Sequence, residues 1–270
     1  MQRKIDKIIT VLNDLEESDA VFSKAFGLAK DLGAVVEVLF VHESPLFDVP
    51  DYFRSSTDEG LDKEKVKHEI QQKIEKLAEW QKVAVFVYID DTPDRVWALA
   101  RDDKHTLIVT AYHDSISEKI IDKVSQPVLV IKRPTQDYKK LALIVNANSE
   151  SLSCIAHVKR DFKDSDIYLL YDYRYVVDPS MEIDLQDVQI IQEAQKEAFE
   201  EVKRKSGLEG EFFIDGSFLG EDLVDHLQAK AFDLVYVCSH GDDFFVSDNL
   251  SLELFKDLES DILVACSSKD

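Results

Sequence analysis

Apolar residues in this chain alternate between short β-branched runs and longer stretches with helical spacing. Ile5–Leu12 is the first run and predicts a strand. In Ser18–Leu32, Val21, Ala25, Leu28, Ala29 and Leu32 share one helical face, with Ser18 placed as N-cap and Gly33 as the stop. Val35–Val41 predicts a second strand, apolar throughout except for Glu37, and Ser44–Gly60 reads as a loop with two prolines. Leu61–Gln81 predicts a long charged helix carrying Val66, Ile70, Ile74 and Leu77. A third strand at Val83–Ile89 leads to a helix that starts with Thr92 as cap and Pro93 as first residue and runs through Arg101. A strand at Thr106–Thr110, a helix at Ser115–Val124 and a strand at Val128–Ile131 complete the first half.

The same order then recurs. Strands are predicted at Leu141–Val145, Asp166–Tyr171, Phe212–Ile214, Asp233–Val237 and Ile262–Ala265, and helices at Ser149–Arg160, Leu185–Ser206, Glu221–Ala229 and Asp248–Leu258. Gly207 stops the long helix, and an irregular stretch with Pro179 precedes it. Lys7-Ile-Ile-Thr-Val-Leu-Asn13 parallels Lys140-Leu-Ala-Leu-Ile-Val-Asn146, Thr106-Leu-Ile-Val-Thr110 parallels Asp233-Leu-Val-Tyr-Val237, and Gln126–Ile131 parallels Ser260–Ala265. A period of this length, made of whole βαβ units, means duplicated domains. The expected boundaries are 1–133 and 138–270, joined by Lys132–Lys139 with Pro134.

Alternating strands and helices predict α/β domains, each a doubly wound five-stranded parallel sheet with helices on both faces. Ligands of such sheets bind beyond the carboxyl ends of the strands, at the switch point. That directs attention to Asn13–Glu17 and Ala111–Ser115 in the first half, and to Asn146–Glu150 and Cys238–Asp243 in the second.

Composition narrows the function. A net charge of −22 repels phosphate backbones and anionic lipid, so nucleic acid and membrane surfaces are not expected partners. The charged N-terminus is no signal peptide and no apolar run spans a bilayer, so a cytoplasmic protein is expected. Three cysteines, Cys154, Cys238 and Cys266, make no CxxC pair; their odd number argues against a disulfide framework and for a reducing compartment. Only 8 glycines are present, and loops that wrap phosphate need glycine.

Lys7–Asn13 followed by Leu15-Glu-Glu-Ser18 and an Ala/Leu-rich helix, Val38-Leu-Phe-Val-His42 closing the second strand, and the ending Gln126-Pro-Val-Leu-Val-Ile131 together resemble the universal stress protein family in its tandem form, over roughly residues 3–133 and 138–267. The resemblance implies a Rossmann-like, adenine nucleotide alpha hydrolase-like fold with strand order 3-2-1-4-5. It also implies that the fifth strands, Val128–Ile131 and Ile262–Ala265, pair antiparallel, joining the halves as a pseudo-two-fold unit. ATP-binding members carry G-x-x-G-x(9)-G-[S/T] after the fourth strand. Here Ala111-Tyr-His-Asp-Ser115 lacks the glycines and the length, and Cys238-Ser-His-Gly241 keeps only the second glycine, followed by Asp242 and Asp243, which repel phosphate. The acid that helps to hold adenosine at the end of the first strand is replaced by Asn13 and Asn146. The Ser-Gly-Gly loop of related hydrolases is also missing.

Other groupings carry weaker chemistry. His42, Glu43, His113 and Asp114 are expected to converge at the strand ends of the first half; with Cys238, His240, Asp242 and Asp243 in the second, they contain zinc- or manganese-compatible ligands but no established ligand spacing, and no metal site is assigned. Cys238 beside His240 could suggest a thiolate pair, but a structural cysteine is the expected reading. No G-x-S-x-G elbow surrounds Ser18, Ser115 or Ser239. Tyr168, Tyr171, Tyr173 and Tyr175, with Arg174, form an aromatic run that could line a pocket, and Phe244 and Phe245 could plug the vacant phosphate site; core packing is the plainer account of both.

The expectation is a non-catalytic stress-response or regulatory protein that acts by binding a protein or small ligand, without ordinary ATP binding and with no resident cofactor. Its protein partner is unknown and a homodimer is possible. One alternative is an adenine-nucleotide sensor (ATP or AMP) that uses Asn146, Ala147 and Gly241 of the second half; another is a weak hydrolase or metal enzyme at the 238–243 loop. Replacing Val130 by proline is expected to separate the halves, and a variant with unchanged stability and compactness would count against the strand pairing.

Overall fold

The computed structural model describes residues 5–43, 61–77, 82–134, 137–146, 150–174, 185–215, 221–239 and 252–266. The predicted loop at Ser44–Gly60, the stretch around Pro179 and residues 248–251 of the predicted last helix lie outside them. The chain divides into two units, Met1–Gln136 and Asp137–Asp270.

In the first unit the β-branched runs become β1 (Lys7–Leu12), β2 (Val35–His42), β3 (Ala84–Ile89), β4 (Thr106–Ala111) and β5 (Val128–Ile131). They pair in parallel in the order β3-β2-β1-β4-β5. A right-handed crossover that reverses direction after β3 places α1 (Ser18–Leu32) and α2 (Lys63–Leu77) on one face, and α3 (Thr92–Ala100) and α4 (Asp114–Lys123) on the other. Burial on both faces explains the unbroken apolar runs: Ile8, Ile9, Val11, Val38, Val41, Ile108, Val109 and Val130 are fully buried. Each such side chain contributes roughly 1.5–3 kcal/mol. Glu37, the polar exception in β2, forms an ion pair with Lys7 of β1 at 3.2 Å. Val130 also pairs with Thr110 of β4, so a proline there injures the first unit itself, and only compactness, not stability, reports on a further partner of β5.

The second unit repeats the plan with β6 (Lys140–Ile144), α5 (Glu150–Asp161), β7 (Asp166–Arg174), α6 (Leu185–Ser206), β8 (Gly210–Asp215), α7 (Glu221–Lys230), β9 (Leu234–Ser239), α8 (Leu252–Asp257) and β10 (Asp261–Cys266). Its strands are again parallel, in the order β8-β7-β6-β9-β10, which is 3-2-1-4-5 within the unit. The doubly wound α/β architecture expected from the sequence is therefore observed in both units. Tyr138, assigned by sequence to the linker, instead belongs to the core of this unit. Its hydroxyl donates to the buried carboxylate of Asp261 at 2.7 Å, and its ring meets Phe162, which meets Tyr236 edge-on.

Gly33 and Gly207 end α1 and α6 with φ of 69° and 66°, a left-handed conformation that favours glycine. Two N-caps differ from expectation. Asp91, not Thr92, caps α3 by accepting the Asp94 N–H at 2.9 Å. Ser18 is the first residue of α1, and its hydroxyl donates back to the Leu15 carbonyl. In both places a competing acceptor one residue earlier, or a carbonyl within reach, decided the cap. Among the described residues, no helix is long and apolar enough to cross a membrane.

At the start of β7 and β8 a polar cluster ties the edge strand down. The Glu211 carboxylate accepts from Lys230 at 2.6 Å, from Tyr168 at 3.3 Å and faces His226 at 3.1 Å. Burial pushes the Glu211 carboxyl up, but the Lys230 hydrogen bond and the neighbouring positive charges outweigh it and hold it below its ordinary value. Burial pulls Lys230 down, and its bonds to Glu211 and Tyr168 outweigh that and raise it. The pair's contribution is thus complete at neutral pH. It is lost as pH falls through the depressed Glu211 value, or rises through the raised Lys230 value. Because both groups are about one-third exposed, Glu211→Gln is expected to cost about 1 kcal/mol or less at pH 7. Urea unfolding at pH 7 and at successively lower pH checks this: the difference between wild type and variant should shrink as the pH falls through the depressed Glu211 value.

Candidate functional site

In the first unit the carboxyl ends of β1 and β4 flank the switch point. β1 runs into Asn13, whose side-chain amide donates to the Val41 carbonyl at 3.0 Å and to the Thr92 hydroxyl at 2.7 Å. The Asn13 carbonyl oxygen is buried and has no hydrogen-bond partner among the described residues. Thr92 is in turn fixed by its backbone N–H, which donates to Glu43 at 2.8 Å. Asn13 therefore joins the ends of β1 and β2 to the first turn of α3.

After β4 only Tyr112 and His113 precede α4. The Tyr112 N–H donates to Ile131 at 2.9 Å, and the His113 N–H to the Ser117 hydroxyl at 2.9 Å. The His113 ring lies 3.1 Å from the Glu17 carboxylate across the switch point. The β1–α1 turn is held from α2 by Lys73, which donates to the Leu15 carbonyl, the Ser18 hydroxyl and Asp19 at 2.9, 2.6 and 2.9 Å. The segments after β1 and β4 are thus closed with the protein's own side chains. No glycine stands in either.

His42, Glu43 and His113 do not act as one group, and the Asp114 side chain lies outside what the structure describes. Glu43 is spent on Thr92 and His113 faces Glu17, while the His42 side chain is exposed. Register explains this: His42 ends β2 two strands away from β4, so its side chain has no reason to reach the β1–β4 gap. Among the described residues, no three His, Cys, Asp or Glu side chains gather closely enough to hold a metal.

In the second unit β6 ends at the position that leads to Asn146, whose carbonyl accepts the Ser151 hydroxyl just as Leu15 accepts Ser18. Ala147 and Gly241, as well as His240, Asp242, Asp243, Phe244 and Phe245, lie outside the described residues. Cys238, nearly fully buried in β9, is not part of a thiolate pair. It is joined by a disulfide to Cys154 of α5, with Cα atoms 6.4 Å apart. This overturns the expectation drawn from the odd cysteine count. The two cysteines are 84 residues apart and only the fold brings them together, so no spacing rule could have paired them.

The aromatic run is also split. Successive side chains of a strand point to opposite faces. Tyr171 and Tyr173 therefore share one face of β7, where they stack on Phe212 at 5.1 and 5.4 Å, and Tyr171 also packs on Phe199 of α6. The Tyr171 hydroxyl donates to Gln195 at 3.1 Å, and burial, Tyr173 and Asp172 push its pKa up. Tyr168 faces the other way, against Phe232 and the Lys230 cluster. These rings are core packing rather than a shared pocket lining; Tyr175 lies outside the described residues. An open concavity along α6 is lined by Glu193, Lys196, Glu197, Glu200, Glu201 and Arg204, all of that helix.

Residues 4–132 match the Universal stress protein family, so the first unit carries a domain of that family. No curated protein matches the chain. Among solved structures, a universal stress protein from Archaeoglobus fulgidus is similar over 99% of this chain and 98% of its own, with a TM-score of 0.66 and 14% identity. A functionally unknown protein from Pseudomonas aeruginosa is similar over 98% and 93%, with a TM-score of 0.65 and 14% identity. At such identities the likeness concerns the fold.

The Asn13 geometry has a direct consequence. Asn13→Asp replaces an N–H donor with a carboxylate oxygen facing the Val41 carbonyl. Setting two acceptors against each other is expected to destabilise the protein by about 1–3 kcal/mol at pH 7. The cost should shrink at low pH, where a protonated carboxyl again donates. Chemical denaturation at two pH values checks both statements.

Proposed function

We propose that this protein is a stress-response regulator that acts through binding rather than catalysis, and that its first domain does not hold ATP in the manner of nucleotide-binding relatives. The observation that carries this reading is the two-residue connection from β4 to α4. A phosphate loop needs several glycine-bearing residues there, so that backbone N–H groups can converge on the ligand. Tyr112 and His113 leave no length for it, and their N–H groups already donate to Ile131 and Ser117.

Two features support the non-catalytic part. The His113 ring faces Glu17, the nearby Ser117 hydroxyl is engaged by the His113 backbone N–H and not shown bonded to the ring, and no metal cluster is found among the described residues. The family domain at residues 4–132 supports a stress-response role. The acidic surface, with a net charge of −22, favours a protein or small-molecule partner over nucleic acid.

Isothermal calorimetry with ATP and AMP tests the reading on the purified chain, after mass spectrometry for a retained ligand. No heat and no retained nucleotide are expected. Micromolar binding that survives changes around Asn13 and His113 but disappears in Gly241→Val would overturn it in favour of a nucleotide sensor built on Asn146, Ala147 and Gly241 of the second unit. Turnover of a nucleotide, or a stoichiometric metal in the purified protein, would instead favour a hydrolase or metal enzyme at the 238–243 loop.

A further inference from the structure

The two units provide an internal control for the disulfide. Ser18 and Ser151 occupy matching positions, each buried and each donating to a carbonyl of the preceding turn. Three residues further along the helix stand Val21 in the first unit and Cys154 in the second. The strand registers give the other half of the match. Ile8 of β1 pairs with Leu107 of β4, and Leu141 of β6 with Leu234 of β9, so that Ala111 corresponds to Cys238. Val21 and Ala111 are both buried where α1 crosses β4. Where the second unit has the covalent bond, the first has a buried valine and alanine and the same strand order, so the architecture does not require the bond.

We propose that Cys154 and Cys238 form a reversible thiol–disulfide switch that locks α5 onto the carboxyl end of β9 in the second unit. Two features suit reversibility. Cys238 is 5% exposed, whereas Cys154 is only partly buried and is therefore the partner nearer to solvent. The unit also keeps a complete apolar core around the pair, including Leu143, Ile155, Val158 and Val235, which holds the fold when the bond opens.

Formation needs an oxidant of the low-molecular-weight disulfide class. The Cys154 thiolate attacks one sulfur of the small disulfide, forming a mixed disulfide and expelling one small thiolate. The Cys238 thiolate then attacks the Cys154 sulfur, forming the internal bond and expelling the second. Two electrons pass to the small disulfide, which leaves as two thiols carrying the two protons lost by the cysteines. Reduction by excess small thiol runs the same steps backwards. The consequence is local: oxidation restrains α5 against the end of β9, where β6 and β9 flank the second unit's switch point, and reduction releases it.

The test uses the full chain equilibrated in glutathione buffers of graded composition, then alkylated under denaturing conditions and weighed. One alkylated cysteine, Cys266, is expected at the oxidised end and three at the reduced end, with the midpoint inside the accessible range. Hydrogen exchange of the native protein should slow in α5 and at the end of β9 by about tenfold or more on oxidation. Cys154→Val and Cys238→Ala, the first unit's own choices at these positions, should each fold and lose the redox dependence. A pair that stays reduced in oxidised glutathione, or one that resists a large excess of reduced glutathione in the folded protein, overturns the proposal. So does a bond that forms and breaks without changing exchange in α5 and β9. The wild-type titration decides these points even where a variant fails to fold.

Discussion

A parallel sheet covered by helices on both faces hides its side chains completely but cannot hide the backbone groups at the ends of its strands. At the switch point, where crossovers leave β1 in one direction and β4 in the other, no helix covers those ends, and something else must satisfy them. In nucleotide-binding folds of this kind a ligand and a glycine-rich loop share the task. In the first unit the protein's own side chains take part in it. Asn13 bridges the β2 backbone and Thr92, Glu43 holds the first N–H of α3, and His113 reaches Glu17. These bonds fix the segments at the strand ends.

The glycine economy follows from the same constraint. Of the described glycines, Gly33 and Gly207 terminate helices and Gly210 lies where β8 comes so close to β7 that a Cβ would stand 2.6 Å from Leu169. At these three positions backbone freedom serves helix ends and a close strand approach. Polar side chains, which are cheaper to order than a long loop, close the strand ends.

Most of the architecture was legible because burial on both faces imposes an unmistakable pattern: runs such as Lys7–Leu12 and Val128–Ile131 can be little else between amphipathic helices. What the sequence hid depends on direction and distance. Tyr168, Tyr171 and Tyr173 look contiguous in the chain, yet the two-residue period of a strand sends Tyr168 to the opposite face. Ser18 and Thr92 satisfy composition rules for caps, but Glu17 and Asp91 hold those places, because the fold sets where each helix begins and which carbonyl lies in reach. The convergence expected of His42 with His113 failed on strand order alone. The loop after β4, by contrast, could be read directly, since its shortness and lack of glycine are properties of the sequence itself.

Duplication turns these observations into an argument about divergence. A buried serine at the start of the first helix recurs in both units, and in each its hydroxyl donates to a carbonyl of the segment before the helix. Three residues further on the constraint relaxes: small apolar groups can fill the space where the first helix meets the fourth strand, and a buried valine and alanine stand at these positions in one unit. Cysteine is a small hydrophobe that suits such a buried contact, and a pair of them adds a covalent restraint when oxidised. A site of this kind can acquire redox sensitivity without any rearrangement of the core. The first unit, already held shut by Asn13, Glu43 and His113, has no corresponding bond to make, and any regulation by thiol chemistry falls to the second.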